Sequence, residues 1–72
     1  MDTTQLIARG LPDPRTSPTL TVDETARLLH VSRVSAYNAV QAGEIPSIRV
    51  GRRILIPTAA LLRMLGQDPD AA

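Results

Sequence analysis

Two helix start signals stand close together in the chain, and they constrain its fold more than any other feature. Thr21, with Glu24 three residues later, fits a capping box, in which each side chain bonds a backbone N–H that the helix leaves free. Ser32 is the next residue of a type that caps helices well. The spacing therefore predicts two short helices, over about 22–29 and 33–42, separated by a turn of about three residues.

The inner face of the second predicted helix carries small apolar residues. Ala36, Ala39 and Val40 recur at helical spacing, and Gly43 beyond them is suited to end the helix in a left-handed conformation. Small side chains allow two helices to cross closely. Two short helices with such faces, joined by a tight turn, are typical of a helix-turn-helix.

The periodicity changes after the helix pair. Residues 45–57 are rich in isoleucine and valine, and Gly51 marks a turn, which predicts a β-hairpin. A two-residue loop would place Val50 opposite Arg53. A three-residue loop would pair Val50 with Ile54 and keep the apolar residues on one face. The three-residue loop is therefore the predicted one.

A last helix, over about 59–65, is predicted after the hairpin. Thr58 is suited to cap it. Its apolar stripe is predicted to hold Leu61, Met64 and Leu65. The fold class that follows is mainly α with a small β-hairpin: a winged helix-turn-helix, in which the hairpin is the wing.

The flanks differ from this unit in composition. Residues 1–19 contain three of the six prolines and no sustained pattern, which predicts a flexible N-terminal arm. Residues 20–66 form the predicted domain, which contains six arginines and three carboxylates. Residues 67–72 form a polar, acidic tail. The charge is thus concentrated in the domain, although the net charge of the chain is only +1.

Composition excludes several classes of function. A chain of 72 residues without cysteine and with His30 as its one histidine offers no thiolate or His-rich metal site, no deep substrate pocket and no catalytic triad. There is no Gly-rich phosphate loop, no apolar run of about 18 residues and no basic, apolar leader. We expect a cytoplasmic protein that is not an enzyme and has no cofactor, metal, membrane partner or small-molecule substrate.

The predicted arrangement points instead to double-stranded DNA. The second helix of such a motif places its first residues at base edges in the major groove, and a basic wing meets phosphates or the minor groove. The residues predicted to contact DNA from the second helix are Ser32, Arg33, Val34, Tyr37, Asn38 and Gln41. Those predicted from the wing are Arg49, Gly51, Arg52 and Arg53. Arg27 is a further candidate, with an i,i+4 ion pair to Asp23 as the alternative.

Residues 20–65 resemble the excisionase-type DNA-binding domain, which is related to the winged helix-turn-helix of MerR regulators. The segments that carry the resemblance are Leu20–Leu29, Val31–Arg33, Ala36-Tyr37, Ala42–Pro46, Arg49–Arg53, Ile56-Pro57 and Ala60-Leu61. The family often has glycine where His30 stands and a charged residue where Leu62 stands. We therefore expect slight strain at His30 and an exposed Leu62.

The resemblance implies a phage or integrative-element excisionase, a recombination directionality factor associated with the nucleoid. Such a protein binds repeated sites near an attachment site together with other copies of itself. It bends the DNA and directs a phage-type integrase towards excision. A small MerR-like transcriptional regulator is the alternative within the same class. A protein-interaction adaptor on a helix-turn-helix scaffold is the alternative from another class.

Overall fold

The computed structural model describes residues 10–66, so the tail at 67–72 and the first nine residues of the predicted arm lie outside the described residues. Within this range the chain forms three helices and three strands. In order they are β1 (Thr19–Leu20), α1 (Val22–Leu29), α2 (Arg33–Gln41), β2 (Ile48–Val50), β3 (Arg53–Pro57) and α3 (Thr58–Met64). The predicted fold class, mainly α with a small β wing, is confirmed.

The capping box at the start of α1 is present as predicted. The Thr21 hydroxyl accepts the Glu24 N–H at 3.0 Å, and the Thr21 N–H donates to the Glu24 carboxylate at 3.0 Å. The hydrogen bond from the Thr21 backbone N–H holds the pKa of Glu24 below its ordinary value, because it favours the ionised carboxylate. Both bonds satisfy donors that the first helical turn leaves free, and α1 has the predicted bounds.

The turn between α1 and α2 depends on a left-handed residue. His30 has φ 58° and ψ 40°, a conformation that costs little only for glycine. It closes α1, because the His30 N–H bonds the Arg27 carbonyl at 3.3 Å and the Val31 N–H bonds the Ala26 carbonyl at 3.0 Å. The strain expected where the family has glycine is located at this residue.

The three strands form one antiparallel sheet in the order β1-β3-β2. In the hairpin, the structure pairs Val50 with Arg53, Arg49 with Ile54 and Ile48 with Leu55. The loop therefore has two residues, and the predicted three-residue register is wrong. A two-residue hairpin loop needs positive φ at its first position, which Gly51 supplies at φ 61°.

The observed register puts apolar side chains on both faces of the wing. Directly paired residues share a face, so Ile48 and Val50 lie with Leu55, on the side opposite the buried Ile56. Ile48 and Val50 are consequently exposed. The prediction assumed that the hairpin would gather its apolar residues on one side, but the geometry of the turn decides the register instead.

Strand β1 was not predicted. Thr19 pairs with Pro57 and Leu20 with Ile56, so β1 lies against the strand that leads into α3. Two residues are too short to show an alternating pattern in the sequence. The folded structure thus reaches N-terminal of residue 20, where the sequence placed the boundary between the arm and the domain.

Thr58 fastens the segment before β1 rather than capping α3. Its hydroxyl donates to the Ser17 carbonyl, and its N–H donates to the Pro18 carbonyl at 3.0 Å. Pro57 occupies the cap position and makes no side-chain cap bond. The prediction that Thr58 caps the helix is therefore wrong, because its hydroxyl has a long-range backbone partner.

The hydrophobic core lies between the helices and the sheet. The buried residues that form it are Leu20, Val40, Ile45, Ile56 and Leu61. On α3 the buried stripe is Thr58, Leu61 and Leu62, whereas Met64 remains 45% exposed. Leu62 is 0% exposed, so the expectation of an exposed leucine is wrong. The stripe begins one turn earlier than predicted, at the buried Thr58.

Candidate nucleic-acid interface

Helix α2 exposes the side on which the sequence places the recognition residues. Ala36 and Val40 are buried against the rest of the domain, which turns the opposite side of the helix outward. The exposed side chains of this face are Arg33, Val34, Tyr37, Asn38 and Gln41. Val34, at 69% exposure, is more open than any other large apolar side chain among residues 10–66.

The start of α2 is fixed by serine hydroxyls. The Ser32 hydroxyl accepts the Ser35 N–H at 3.0 Å and donates to the Ser35 hydroxyl at 2.9 Å. The predicted cap is therefore present. Because the cap sets the first turn of α2, it also sets the position from which Arg33 projects.

The wing presents its arginines at and beside a tight turn. Gly51 and Arg52 form the loop, and Arg53 begins β3. Arg49, Arg52 and Arg53 are all exposed. The sequence prediction of an arginine-bearing hairpin tip thus agrees with the geometry of the structure, although the loop is one residue shorter.

A groove of about 310 Å³ joins the wing to the helix pair, and we call it the arginine groove. It is lined by Asp23 from α1, Arg33 and Tyr37 from α2, and Arg52 and Arg53 from the wing. Four of the predicted DNA-contacting residues therefore meet at one place. They come from two separate elements, the second helix and the wing.

The other predicted residues lie outside the lining of this groove. Ser32, Val34, Asn38 and Gln41 occupy the start and the outer face of α2, while Arg49 and Gly51 belong to the wing. Thr21, Val22, Asp23 and Ile54 also line the groove and were not predicted. Asp23 entered the sequence analysis as a possible i,i+4 partner of Arg27 and was not predicted to lie beside the arginines of the wing.

An ion pair inside the groove involves a different arginine from the one considered as a partner of Asp23 in the sequence. The Asp23 carboxylate Oδ1 lies 2.9 Å from Nε of Arg33. Asp23 was expected to pair, if at all, with Arg27 on its own helix. The crossing of α1 and α2 brings Arg33 to the carboxylate instead, which the sequence spacing does not show.

Arg27 lines a different cleft. This cleft, of about 750 Å³, lies between α1 and the segment that begins at Gly10, and Glu24 and His30 also line it. It is the larger of the two clefts, but Glu24 and Arg27 balance its charge. The arginine groove holds three guanidinium groups and one carboxylate, a net charge of +2. The smaller groove is therefore the better match for a phosphate backbone.

Among residues 10–66 there is no group of three or more metal-ligating side chains of the His, Cys, Asp or Glu type. In the same range, no helix has the length and apolar character needed to cross a membrane.

The helix pair, the exposed polar face of α2 and the basic hairpin beside it define a winged helix-turn-helix. The family of helix-turn-helix domains matches residues 19–68, and the chain belongs to this family. Together with the relatives below, this match confirms the resemblance to the excisionase-type DNA-binding family.

The chain is similar to proteins from Mycobacterium tuberculosis and Saccharopolyspora erythraea. Proteins from two strains of Mycobacterium tuberculosis, each provisionally named a DNA-binding protein, are 44% identical over 46 residues, which is 64% of this chain. A protein of Saccharopolyspora erythraea named a probable excisionase is 38% identical over 68 residues, or 89% of this chain. The matched segments span 59% of the mycobacterial proteins and 66% of the Saccharopolyspora protein. No solved structure matches the chain significantly.

Proposed function

We propose that the protein is a small excisionase: it binds repeated sites near an attachment site, bends the DNA and directs a phage-type integrase towards excision. The observation that carries the DNA-binding part is the arginine groove, in which Arg33 and Tyr37 of α2 meet Arg52 and Arg53 of the wing. The similarity to a protein named a probable excisionase supports the more specific function.

In the proposed complex, α2 lies in the major groove. Arg33 at its first position forks to a guanine, and Asn38 and Gln41 on the same exposed face offer amides that suit adenine. The methyl groups of Val34 pack against the methyl group of a thymine, and the Tyr37 hydroxyl bonds a phosphate or a base edge. The contacts of α2 supply the sequence specificity.

The wing supplies affinity. Arg52 and Arg53 bind phosphates or enter the minor groove, and Gly51 allows the turn that holds them at the tip. Arg49 on β2 is a further phosphate contact, and Arg27 is a weaker candidate because it lines the other cleft. The proposal assigns the protein no catalytic step.

One domain of this size makes few base contacts, so a single copy binds weakly at physiological salt. Specific occupancy then requires several copies on adjacent repeats, and bending adds sequence discrimination at positions that no side chain touches. Both features suit an accessory protein that shapes an attachment site for an integrase. A small transcriptional regulator would use the same surface at a promoter.

The test is a gel-shift titration with DNA from the protein's own locus, one fragment carrying the attachment site and the other the nearest promoter. Stepwise shifts on the attachment-site fragment support the proposal. A single shift confined to the promoter refutes the excisionase function and leaves a regulator. No specific shift on either fragment refutes DNA recognition and favours a protein-binding adaptor.

Arginine variants locate the surface in the same assay. Arg52→Ala and Arg53→Ala each remove one proposed phosphate contact, so each lowers the slope of log affinity against log salt by about 0.9. Arg15→Ala is the matched control, because Arg15 is exposed, carries the same charge and lies outside the arginine groove. Equal effects of all three changes would contradict the assignment of the wing.

A further inference from the structure

Asp23 places a negative charge on the surface proposed to bind phosphates, which is unexpected. Among residues 10–66 it is the one carboxylate that lines the arginine groove, where three arginines also converge. A carboxylate so close to a DNA backbone repels it and lowers the affinity for every sequence alike. Its presence needs a compensating benefit.

Stability of the fold is a weak explanation. The Asp23 and Arg33 side chains are 50% and 78% exposed, and ion pairs with this exposure contribute little to folding. Asp23 also stands in the first turn of α1, where a negative charge favours the helix dipole. Glu24 in the same turn already provides that charge together with the capping box.

The geometry of the pair gives a better explanation. Asp23 Oδ1 contacts Nε of Arg33 at 2.9 Å, and Nε is the inner nitrogen of the guanidinium, behind its two terminal amino groups. Those two groups form the fork that can bond guanine at O6 and N7 together. An arginine held through Nε also loses less rotamer freedom when it binds.

We propose that Asp23 is a specificity-determining residue: it positions Arg33 for a guanine and discourages Arg33 from binding phosphate. The residue thereby lowers affinity for arbitrary DNA and raises discrimination between bases. This inference depends on the proposed binding of DNA through α2. It assigns Asp23 no contact with DNA of its own.

The test compares Asp23→Asn with Glu44→Gln. Both changes remove one negative charge, but Glu44 is exposed beyond the end of α2 and does not line the groove. Each variant is titrated against the fragment that binds the wild-type protein, against copies in which each G·C pair is replaced in turn, and against unrelated duplex.

In Asp23→Asn, Arg33 is free to bind phosphate. We expect affinity for unrelated duplex to rise several-fold, with a salt slope steeper by up to about 0.9. At one G·C position, the penalty for replacement falls by about tenfold, which is within the range of a lost bidentate contact. Glu44→Gln leaves that penalty unchanged.

A double-mutant cycle with Arg33→Ala separates this role from a structural one. If Asp23 acts through Arg33, then Asp23→Asn has no effect on discrimination once Arg33 is absent. A loss of helix stability would lower affinity for all duplexes in both backgrounds, so the cycle remains informative for a destabilised variant.

Two results overturn parts of the argument separately. An unchanged penalty and an unchanged salt slope in Asp23→Asn refute the role of Asp23 while DNA recognition stands. Absence of specific binding by the wild-type protein refutes the proposed function itself.

Discussion

Replacing His30 by glycine is expected to stabilise the domain. His30 is left-handed, at φ 58°, in the turn that joins α1 to α2. A residue with a Cβ atom is disfavoured there by about 1–2 kcal/mol, a cost that glycine avoids. Glycine loses more backbone freedom on folding, and this cost offsets about 0.5–1 kcal/mol of the stabilisation. The net expectation is a gain of about 0.5–1 kcal/mol.

In the structure, this substitution removes neither a backbone hydrogen bond nor a buried side chain. The two hydrogen bonds that close α1 use the backbone N–H groups of His30 and Val31, which glycine retains. The His30 side chain is exposed, so its removal leaves no cavity. In a domain of this size a gain of about 1 kcal/mol raises Tm by about 4–8 °C.

Thermal unfolding monitored by circular dichroism measures the effect, with His30→Ala as the control. Alanine removes the imidazole but keeps the Cβ atom, so it stays near the wild-type Tm. The difference between the two variants therefore isolates the backbone contribution. A His30→Gly protein that melts no higher than His30→Ala would show that the left-handed turn is not a source of strain.

Three further changes probe the core, the helix cap and the wing. Leu62→Ala should cost about 2–5 kcal/mol in denaturant unfolding because Leu62 is fully buried, and a cost as small as that of Leu65→Ala would contradict this burial. The pKa of Glu24 is lower in the folded protein than in the unfolded chain. Its contribution to stability is therefore fully present above the unfolded pKa and is lost as the pH falls through the folded pKa. Glu24→Gln should therefore lose less stability on acidification than wild type, and an identical loss would argue against the box. Gly51→Ala should destabilise the hairpin by about 1 kcal/mol, since φ is 61°; full stability by calorimetry would refute the observed turn.

Local sequence signals were sufficient for the helix pair. The bonds at Thr21 and Ser32 involve residues within one helical turn, so spacing alone reveals them. The exposed face of α2 followed from the positions of Ala36 and Val40. The arginines at the wing tip were located correctly because a glycine marks the turn whatever its length.

Some of the errors depend on long-range geometry, whereas the hairpin register and the exposure of Leu62 do not. The hairpin register was chosen by apolar patterning, but the turn at Gly51 determines it. Strand β1 exists because it pairs with β3, far along the chain. The ion pair of Asp23 with Arg33 forms only because two helices cross, and an i,i+4 rule cannot show it. Leu62 was expected to be exposed because the family often has a charged residue there. In the structure it is buried on the same face of α3 as Thr58 and Leu61.

The hydrogen bond between Thr58 and Ser17 closes a loop of the chain, because the two residues are 41 positions apart in the sequence. The two elements proposed to contact DNA, α2 and the wing, both lie within that loop, and the bond joins the segment before β1 to the end of the wing. Closing a loop of this size costs about 3 kcal/mol of chain entropy, which the hydrogen bonds and the burial of Thr58 must offset. Cutting the chain next to this bond would leave every arginine in the protein. The wing, however, would no longer be held at a fixed distance from α2. In the proposed complex, the affinity for DNA would then fall because the arginines are no longer held in position, although their charge is unchanged.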